Sequence, residues 1–239
     1  MQSQSSRFSE LDAHQGVRVL VIVAHSDDET LGAGGTIRRF VNEGKTVGVV
    51  SLTDGVSARG PGMESEVFAR QEGASSAAKL LGFSWLASFG FPDNSLDTVP
   101  LLDMAKSLEA VASEFRPDLV FTHSSADLNV DHRKVLEATL VCFRPQPSET
   151  YTAIYSMEIP SATGWGHPGI TDVFVPNIFV DISETLESKE TAMESYSSEI
   201  RDFPHARSIR GIKHLAGFRG SQVGLEAAEA FQLVRQIVR

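Results

Sequence analysis

The chain has 239 residues and carries 31 Asp and Glu against 21 Lys and Arg, a formal net charge of −10, with the basic residues scattered along it. That balance excludes a phosphate-tracking surface and makes nucleic acid an unexpected partner. A single cysteine, Cys142, excludes an internal disulfide and any multi-cysteine zinc site. No stretch approaches the roughly 18 apolar residues of a membrane span, so stable membrane insertion is not expected. The N-terminal MQSQSSRFSE is polar with no apolar h-region, and a cytoplasmic protein is the expectation.

In chain order, VRVLVIVA at 17–24 is an uninterrupted apolar run and reads as a strand buried on both faces, as in parallel sheets. It ends in HSDDE, which places His25, Asp27, Asp28 and Glu29 at the strand's carboxyl end, where core packing calls for no such residues. A helix is expected near 30–43, a strand near 46–52, a helix near 64–81 closed by Gly82, and a strand near 84–89. A helix near 98–115, a strand near 118–122 after Pro117, and a helix near 131–142 complete the pattern, with Cys142 as a small buried hydrophobe. This alternation predicts βαβ units and an α/β fold with an open, mostly parallel sheet flanked by helices.

Past Pro145 the pattern changes to a Pro-rich link (RPQPSET), a strand TAIYSME, a loop SATGWGHPG, a strand near 173–180, and then helices. The stretch ETLESKETAMESYSSEI reads as a helix with Leu186, Met193 and Ile200 near one face and its charges solvated. The whole, 1–239, reads as one domain with an irregular C-terminal third from about 145.

If the sheet follows the 3-2-1-4 order, strands one and four are neighbours, and their loops meet at the switch point where open α/β sheets bind ligands. The first loop brings His25, Asp27, Asp28 and Glu29; the second, FTHSSADLNVDHRKV, brings His123, Asp127, Asp131 and His132. Two histidines and a carboxylate with a position left for water form the ligand set of a catalytic zinc or a non-haem Fe(II). Singly, Asp28, Glu29 and Asp131 are each explained as helix-start charges, and a lone His132 as a structural histidine; jointly they are not. A dinucleotide loop in LGAGG, with Asp54 as the ribose-binding acid, fits less well. Ile37 stands where the third glycine belongs, and HSDDETL separates strand from glycines. The glycines are expected instead to let backbone pass close beneath the metal loop.

AHSDDETLGAGGTI resembles the AHPDDE-x-x-G-x-GG signature of the PIG-L/LmbE family of zinc-dependent N-deacetylases, and DLNVDHRKV is similar to its D-x-x-x-DH-R motif. Weaker likenesses lie in TDG at 53–55, the segment from Arg70 to Gly82, FGFPDNSL and GSQVGLEAAEAF, so the resemblance spans most of the chain. It implies a Rossmann-like fold and removal of acetyl groups from N-acetylglucosaminyl compounds. It also implies one zinc per chain, with Fe²⁺ as another candidate, held by His25, Asp28 and His132, and Asp27 as general base. Ser26 stands in place of the family's proline, and Asn129 where many relatives have a histidine that assists the leaving amine. Asparagine cannot supply a proton, which leaves Asp27, His123 or His167 to do so. Arg70 and Asp93 are substrate-contact candidates by resemblance; Arg70 alone also fits a helix-surface ion pair. Trp165 and His167 lie in a Gly-rich loop that either covers the pocket or simply packs on the surface.

The resulting expectation is a metal-dependent hydrolase acting on a small N-acetylated amino sugar or sugar conjugate, with a homo-oligomer compatible with the sequence. A related amidase or esterase, an Fe(II) oxygenase, and an inactive carbohydrate- or nucleotide-binding module are the alternatives.

Overall fold

A computed structural model describes residues 16–56, 58, 64–147 and 151–238. The polar N-terminal segment and the end of the RPQPSET link lie outside the described residues. Strand β1 (Arg18–Val23) is followed by α1 (Asp28–Asn42), β2 (Thr46–Thr53), α2 (Glu64–Leu81), β3 (Ser84–Phe91), α3 (Leu101–Phe115), β4 (Leu119–Thr122) and α4 (Val130–Cys142). The C-terminal third adds β5 (Ala153–Met157), β6 (Ile178–Asp181), α5 (Leu186–Glu194), α6 (Ile209–Ser221) and β7 (Ala228–Gln236).

The seven strands form one sheet in the order β3-β2-β1-β4-β5-β7-β6. Pairing from β3 through β5 is parallel, and β7 runs antiparallel to both β5 and β6. The 3-2-1-4 order expected from the sequence is present, and β1 and β4 are neighbours, with Val19 opposite Leu119 and Val21 opposite Phe121.

Period-two alternation explains why β1 is apolar throughout. Val19, Val21 and Val23 enter the core shared with α1, α2, α5 and α6, while Leu20, Ile22 and Ala24 enter the core shared with α3 and α4. Edge strand β3 instead alternates exposed and half-buried residues. Phe121 ties β4 to the antiparallel part of the sheet, stacking on Tyr155 and meeting Phe231 edge-on, each with ring centroids 5.0 Å apart.

Four readings of the C-terminal third and one of α1 are corrected. The segment after the second C-terminal strand is not wholly helical, because Ala228–Gln236 forms the strand β7 inserted between β5 and β6. The strand expected near 173–180 is confined to Ile178–Asp181. Helix α5 ends at Glu194, so Ile200 is not on it, although Leu186, Met193 and Ile200 all meet the same core. The charges of this stretch are not all solvated: Lys189 is buried and donates to Glu229 Oε1 at 2.6 Å and to the Leu31 carbonyl at 2.8 Å. Glu229 in turn accepts from the Gly35 and Thr36 amides of α1, at 3.0 and 2.7 Å.

The glycines of LGAGG do not make room for backbone beneath the metal loop. A Cβ on Gly32 would lie 2.6 Å from Met157 Sδ, and one on Gly35 would lie 2.8 Å from the Ile182 side chain. They allow the side chains of β5 and the segment after β6 to press directly against α1.

Candidate metal centre

The loop after β1 turns at Asp27, whose backbone (φ 158°, ψ −25°) places it at the cap of α1 and sends the two consecutive carboxylates in different directions. Asp28 is fully buried, and its Oδ2 accepts from the His25 amide at 3.0 Å. The same oxygen lies 3.1 Å from His25 Nδ1 and 3.3 Å from His132 Nε2, and those two nitrogens are 3.3 Å apart. His132 is the third residue of α4, so the two loops do converge across the β1–β4 pair.

The far nitrogen of each ring is engaged by acids. His132 Nδ1 donates to Asp127 Oδ2 at 2.9 Å, and Thr163 Oγ1 donates to the same oxygen at 2.9 Å. His25 Nε2 lies 3.0 Å from Asp93 Oδ1 and 3.3 Å from Asp131 Oδ2. Protons on those outer nitrogens turn lone pairs of His25 Nδ1 and His132 Nε2 toward each other and toward a carboxylate. Ligand atoms about 2.0–2.1 Å from a tetrahedral ion sit about 3.3–3.4 Å apart; two of the observed separations are 3.3 Å and the third is 3.1 Å, and Asp28 Oδ1 remains buried without a hydrogen bond. His25, Asp28 and His132 thus fit a divalent cation, and they form one of the side-chain groups able to hold a metal ion. Two others, His123–Asp127–His132 and His25–Asp93–Asp131, overlap it. In the second of these Asp131 is already occupied, accepting from the Asn94 and Leu96 amides at 2.7 and 2.9 Å.

Without a cation, protons take its place. Burial opposes charge on His132, but Asp28 and Asp127 outweigh it and raise its pKa to about 9. Burial likewise opposes charge on His25, which the bonds from Asp131, Asp28 and Asp93 overcome, holding it well above its ordinary value. For Asp28 burial pushes up, yet the adjacent His132 prevails and holds the carboxyl well below the usual range.

Asp27 is fully buried between two arginines. Arg207 Nη1 donates to its Oδ2 at 3.0 Å, while Oδ1 lies 3.1 Å from Arg70 Nη2 without forming a hydrogen bond. Glu199 holds both arginines, with Oε1 3.0 Å from Arg70 Nη1 and Oε2 3.2 Å from Arg207 Nη1. Burial raises the Asp27 pKa against the opposing pull of Arg70 and Arg207. Glu29 accepts from the Asp27 amide at 3.0 Å, from Thr30 Oγ1 at 2.6 Å and from the Tyr196 hydroxyl at 2.7 Å, and burial lifts it to about 7. It therefore supports the Asp27 turn rather than facing solvent.

Arg70 is buried rather than in a helix-surface ion pair, and its Nε also donates to the Ser26 carbonyl and hydroxyl at 3.1 and 3.2 Å. The serine that replaces the family's proline thus gains a partner of its own. His123 is fully buried and stacks on His132 with centroids 3.9 Å apart. Its Nε2 accepts from the Ala24 amide at 2.9 Å, and burial together with His132 holds its pKa well below normal. Asn129 caps α4, accepting from the Asp131 amide at 2.8 Å, and its Nδ2 lies 3.4 Å from Asn94 Oδ1. Asn129 and Asn94 line a cleft beside the cluster, together with Trp165, Arg201, His205 and Arg207. His167 is exposed and does not line that cleft; its carbonyl accepts from the Ile170 and Thr171 amides. Arg207, Glu199 and Tyr196 were not singled out from the sequence, because nothing local marks a residue whose partner lies more than 100 positions away.

The family profile described as PIG-L, GlcNAc-PI de-N-acetylase, matches residues 20–143. The chain belongs to this family. Among curated relatives, it is 27% identical over 192 residues to a probable N-acetyl-alpha-D-glucosaminyl L-malate deacetylase 2 of Bacillus cereus, covering 76% of this chain and 83% of that one. It is 26% identical over 225 residues to the diacetylchitobiose deacetylase of Thermococcus kodakarensis, covering 91% and 83%. Among solved structures, GalB, the 4-carboxy-2-hydroxymuconate hydratase of Pseudomonas putida, superposes with a TM-score of 0.73 at 25% identity, over 93% of this chain and 98% of that one. Family relatives thus include deacetylases, while the same fold also carries a hydratase. Among the described residues no helix is long and apolar enough to cross a membrane.

Proposed function

We propose that the chain is a metal-dependent hydrolase that removes the acetyl group from an N-acetylated amino sugar or sugar conjugate of the N-acetylglucosamine type. One observation carries the reading: three lone-pair donors, from His25, Asp28 and His132, converge beside a buried Asp27 carboxylate that has an oxygen free of hydrogen bonds. Family membership and the deacetylase relatives support the same reaction.

His25, Asp28 and His132 would hold the ion, with zinc favoured by the two imidazoles and one carboxylate and Fe²⁺ compatible with them. A zinc ion there would acidify a water and polarise the acetamide carbonyl. Asp27 takes the water's proton at Oδ1, while Arg207 fixes the carboxylate through Oδ2. As the C–N bond breaks, the protonated Asp27 returns that proton to the amine nitrogen, leaving acetate and a free amino sugar. His123 does not serve as the base, because its Nε2 lone pair is committed to the Ala24 amide. Asn129, on the cleft wall, offers the substrate a hydrogen bond and no proton. Arg70 and Asp93, both buried, act through Asp27 and His25, the residues they touch.

Acetate release from N-acetylglucosamine derivatives by zinc-loaded protein tests the proposal. Hydrolysis of esters alone would move the assignment to an esterase, and water addition to an enoate without acetate release would move it to the hydratase chemistry carried by the fold. Binding without turnover of any kind would leave a binding module.

A further inference from the structure

The Lys189–Glu229 ion pair takes no part in the proposed chemistry, yet it is built into the helix that carries it. Both side chains are buried, Lys189 reaching α1 from α5 and Glu229 from β7. A regular helix pairs the carbonyl of residue i with the amide of residue i+4, here Leu31 with Gly35. The ion pair bridges those two groups. Lys189 Nζ donates to the Leu31 carbonyl at 2.8 Å and to Glu229 Oε1 at 2.6 Å, and the Gly35 amide donates to the same oxygen at 3.0 Å. Glu229 Oε2 accepts from the next amide, Thr36, at 2.7 Å, so the carboxylate holds two successive amides as an anion does at a helix start. Thr185 holds Gly35 from its other side, Oγ1 donating to its carbonyl at 2.9 Å. Gly34 admits the lysine, since a Cβ there would lie 3.2 Å from Lys189 Cγ. Each glycine of LGAGG therefore faces a side chain from the C-terminal third. The bridge lies one turn from the metal centre. The Leu31 amide donates to the Asp27 carbonyl at 2.9 Å, so Leu31 is tied to Asp27 at its amide and to Lys189 at its carbonyl.

We infer that Lys189 and Glu229 are positioning residues: inserted between Leu31 and Gly35, the pair fixes the first turn of α1 and so sets where the Asp27 and Asp28 carboxylates stand relative to His25 and His132. Stability does not account for the placement, because desolvating two charges offsets most of what their attraction contributes. The inference rests on the metal-centre reading and is independent of which acyl group is cleaved.

The test combines Lys189→Met with Glu229→Leu in one chain, which removes both charges at similar volume, spares stability and returns the Leu31 carbonyl and the Gly35 amide to each other. Zinc affinity reports on Asp28, kcat at saturating zinc reports on Asp27, and thermal unfolding of the metal-free chains reports on the fold. The expected result is zinc binding about 10–100-fold weaker than in the native protein, as when outer support of a metal ligand is lost. A similar fall in kcat with little change in KM should accompany it, at an unfolding temperature close to native. A loss in either readout supports the inference and says which carboxylate the pair sets. Native affinity together with native kcat overturns it, whether or not the unfolding temperature falls, and reduces the pair to packing. If the double variant does not fold, Lys189→Met alone, which leaves both amide bonds of Glu229 in place, carries the same readouts: a smaller loss in the same direction supports the inference and native values overturn it. Zinc affinity needs no substrate. Native protein that binds zinc but releases no acetate would therefore defeat the deacetylase reading and leave the affinity test standing, whereas native protein that binds no zinc would overturn the inference together with the metal centre.

Discussion

The parallel part of the sheet and the C-terminal third build one site by different means. Residues 25–28 and 123–132 run from the carboxyl ends of the paired strands β1 and β4 into the first turns of α1 and α4, so topology alone brings together the side chains able to hold a metal ion. The family match, residues 20–143, covers all of them. The C-terminal third contributes Tyr196, Glu199, His205 and Arg207, from the irregular segment between α5 and α6. These side chains orient Asp27 and shape the cleft, and they lie outside the match. The comparison teaches a division by position: the side chains able to hold a metal ion lie inside the family match, and those that contact Asp27 and line the cleft from the C-terminal third lie beyond it.

The sharpest way to break that division is to remove the metal-holding group from its shared half. His132→Ala should lower bound zinc from about one per chain to near zero and abolish acetate release, since a three-ligand site rarely survives on two. Elemental analysis of the purified variant checks this, and native stoichiometry would dissolve the assignment. The same site should bind metal in competition with protons. His132 carries a proton below about pH 9 in the metal-free chain, so zinc binding must expel it, and apparent affinity should rise with pH until that value is reached. Calorimetry in buffers of different ionisation enthalpy would show the released proton; its absence would mean that His132 is not displaced.

Next in size is Asp27→Asn, which keeps the metal ligands and removes the proton acceptor. Turnover should fall by about 10²–10⁴ with metal content unchanged. Near-normal acetate release would end the role of Asp27 as base.

Arg207→Ala carries the test into the C-terminal third. It leaves Asp27 Oδ2 without its hydrogen bond and Glu199 with one arginine rather than two. A loss of about 10–100-fold in kcat with zinc retained is expected, and a larger share should be recovered by Arg207→Lys than by other replacements. A variant that loses only thermal stability, with kcat unchanged in the folded fraction, would reduce Arg207 to a structural residue.

The same asymmetry governs what the sequence disclosed. β1 was legible because a strand buried on both faces must be apolar at every position, and HSDDE because acids and a histidine at such a strand's end have no packing explanation. β7 was not, since AEAFQLVRQ is rich in residues that favour helix, and only pairing with β5 and β6 makes it a strand. Lys189 looked like a solvated charge because its partner Glu229 lies 40 positions away. For Arg70 a substrate contact and a helix-surface ion pair were both open for a similar reason, its partners being Asp27, Gly55 and Glu199. Local pattern reports periodicity and strand ends; burial of a charge depends on partners that tertiary structure supplies.

The smallest expected effect falls on the cleft wall. Among the described residues the ring contact of Trp165 is edge-on to His205, another residue of the cleft, and no hydrogen bond joins it to His25, Asp28 or His132. If its exposed face supports the sugar ring, Trp165→Ala should raise KM about threefold to tenfold and leave kcat alone, as expected for an interaction made equally in ground and transition states. The zinc stoichiometry should not move, which separates this change from His132→Ala, and the unchanged kcat separates it from Asp27→Asn and Arg207→Ala. An unchanged KM would return the 161–169 loop to a packing role and confine substrate recognition to the arginine side of the cleft. A fall in kcat would be more disruptive, because it would place a residue beyond the family match inside the chemistry proposed for Asp27 and the metal-holding group.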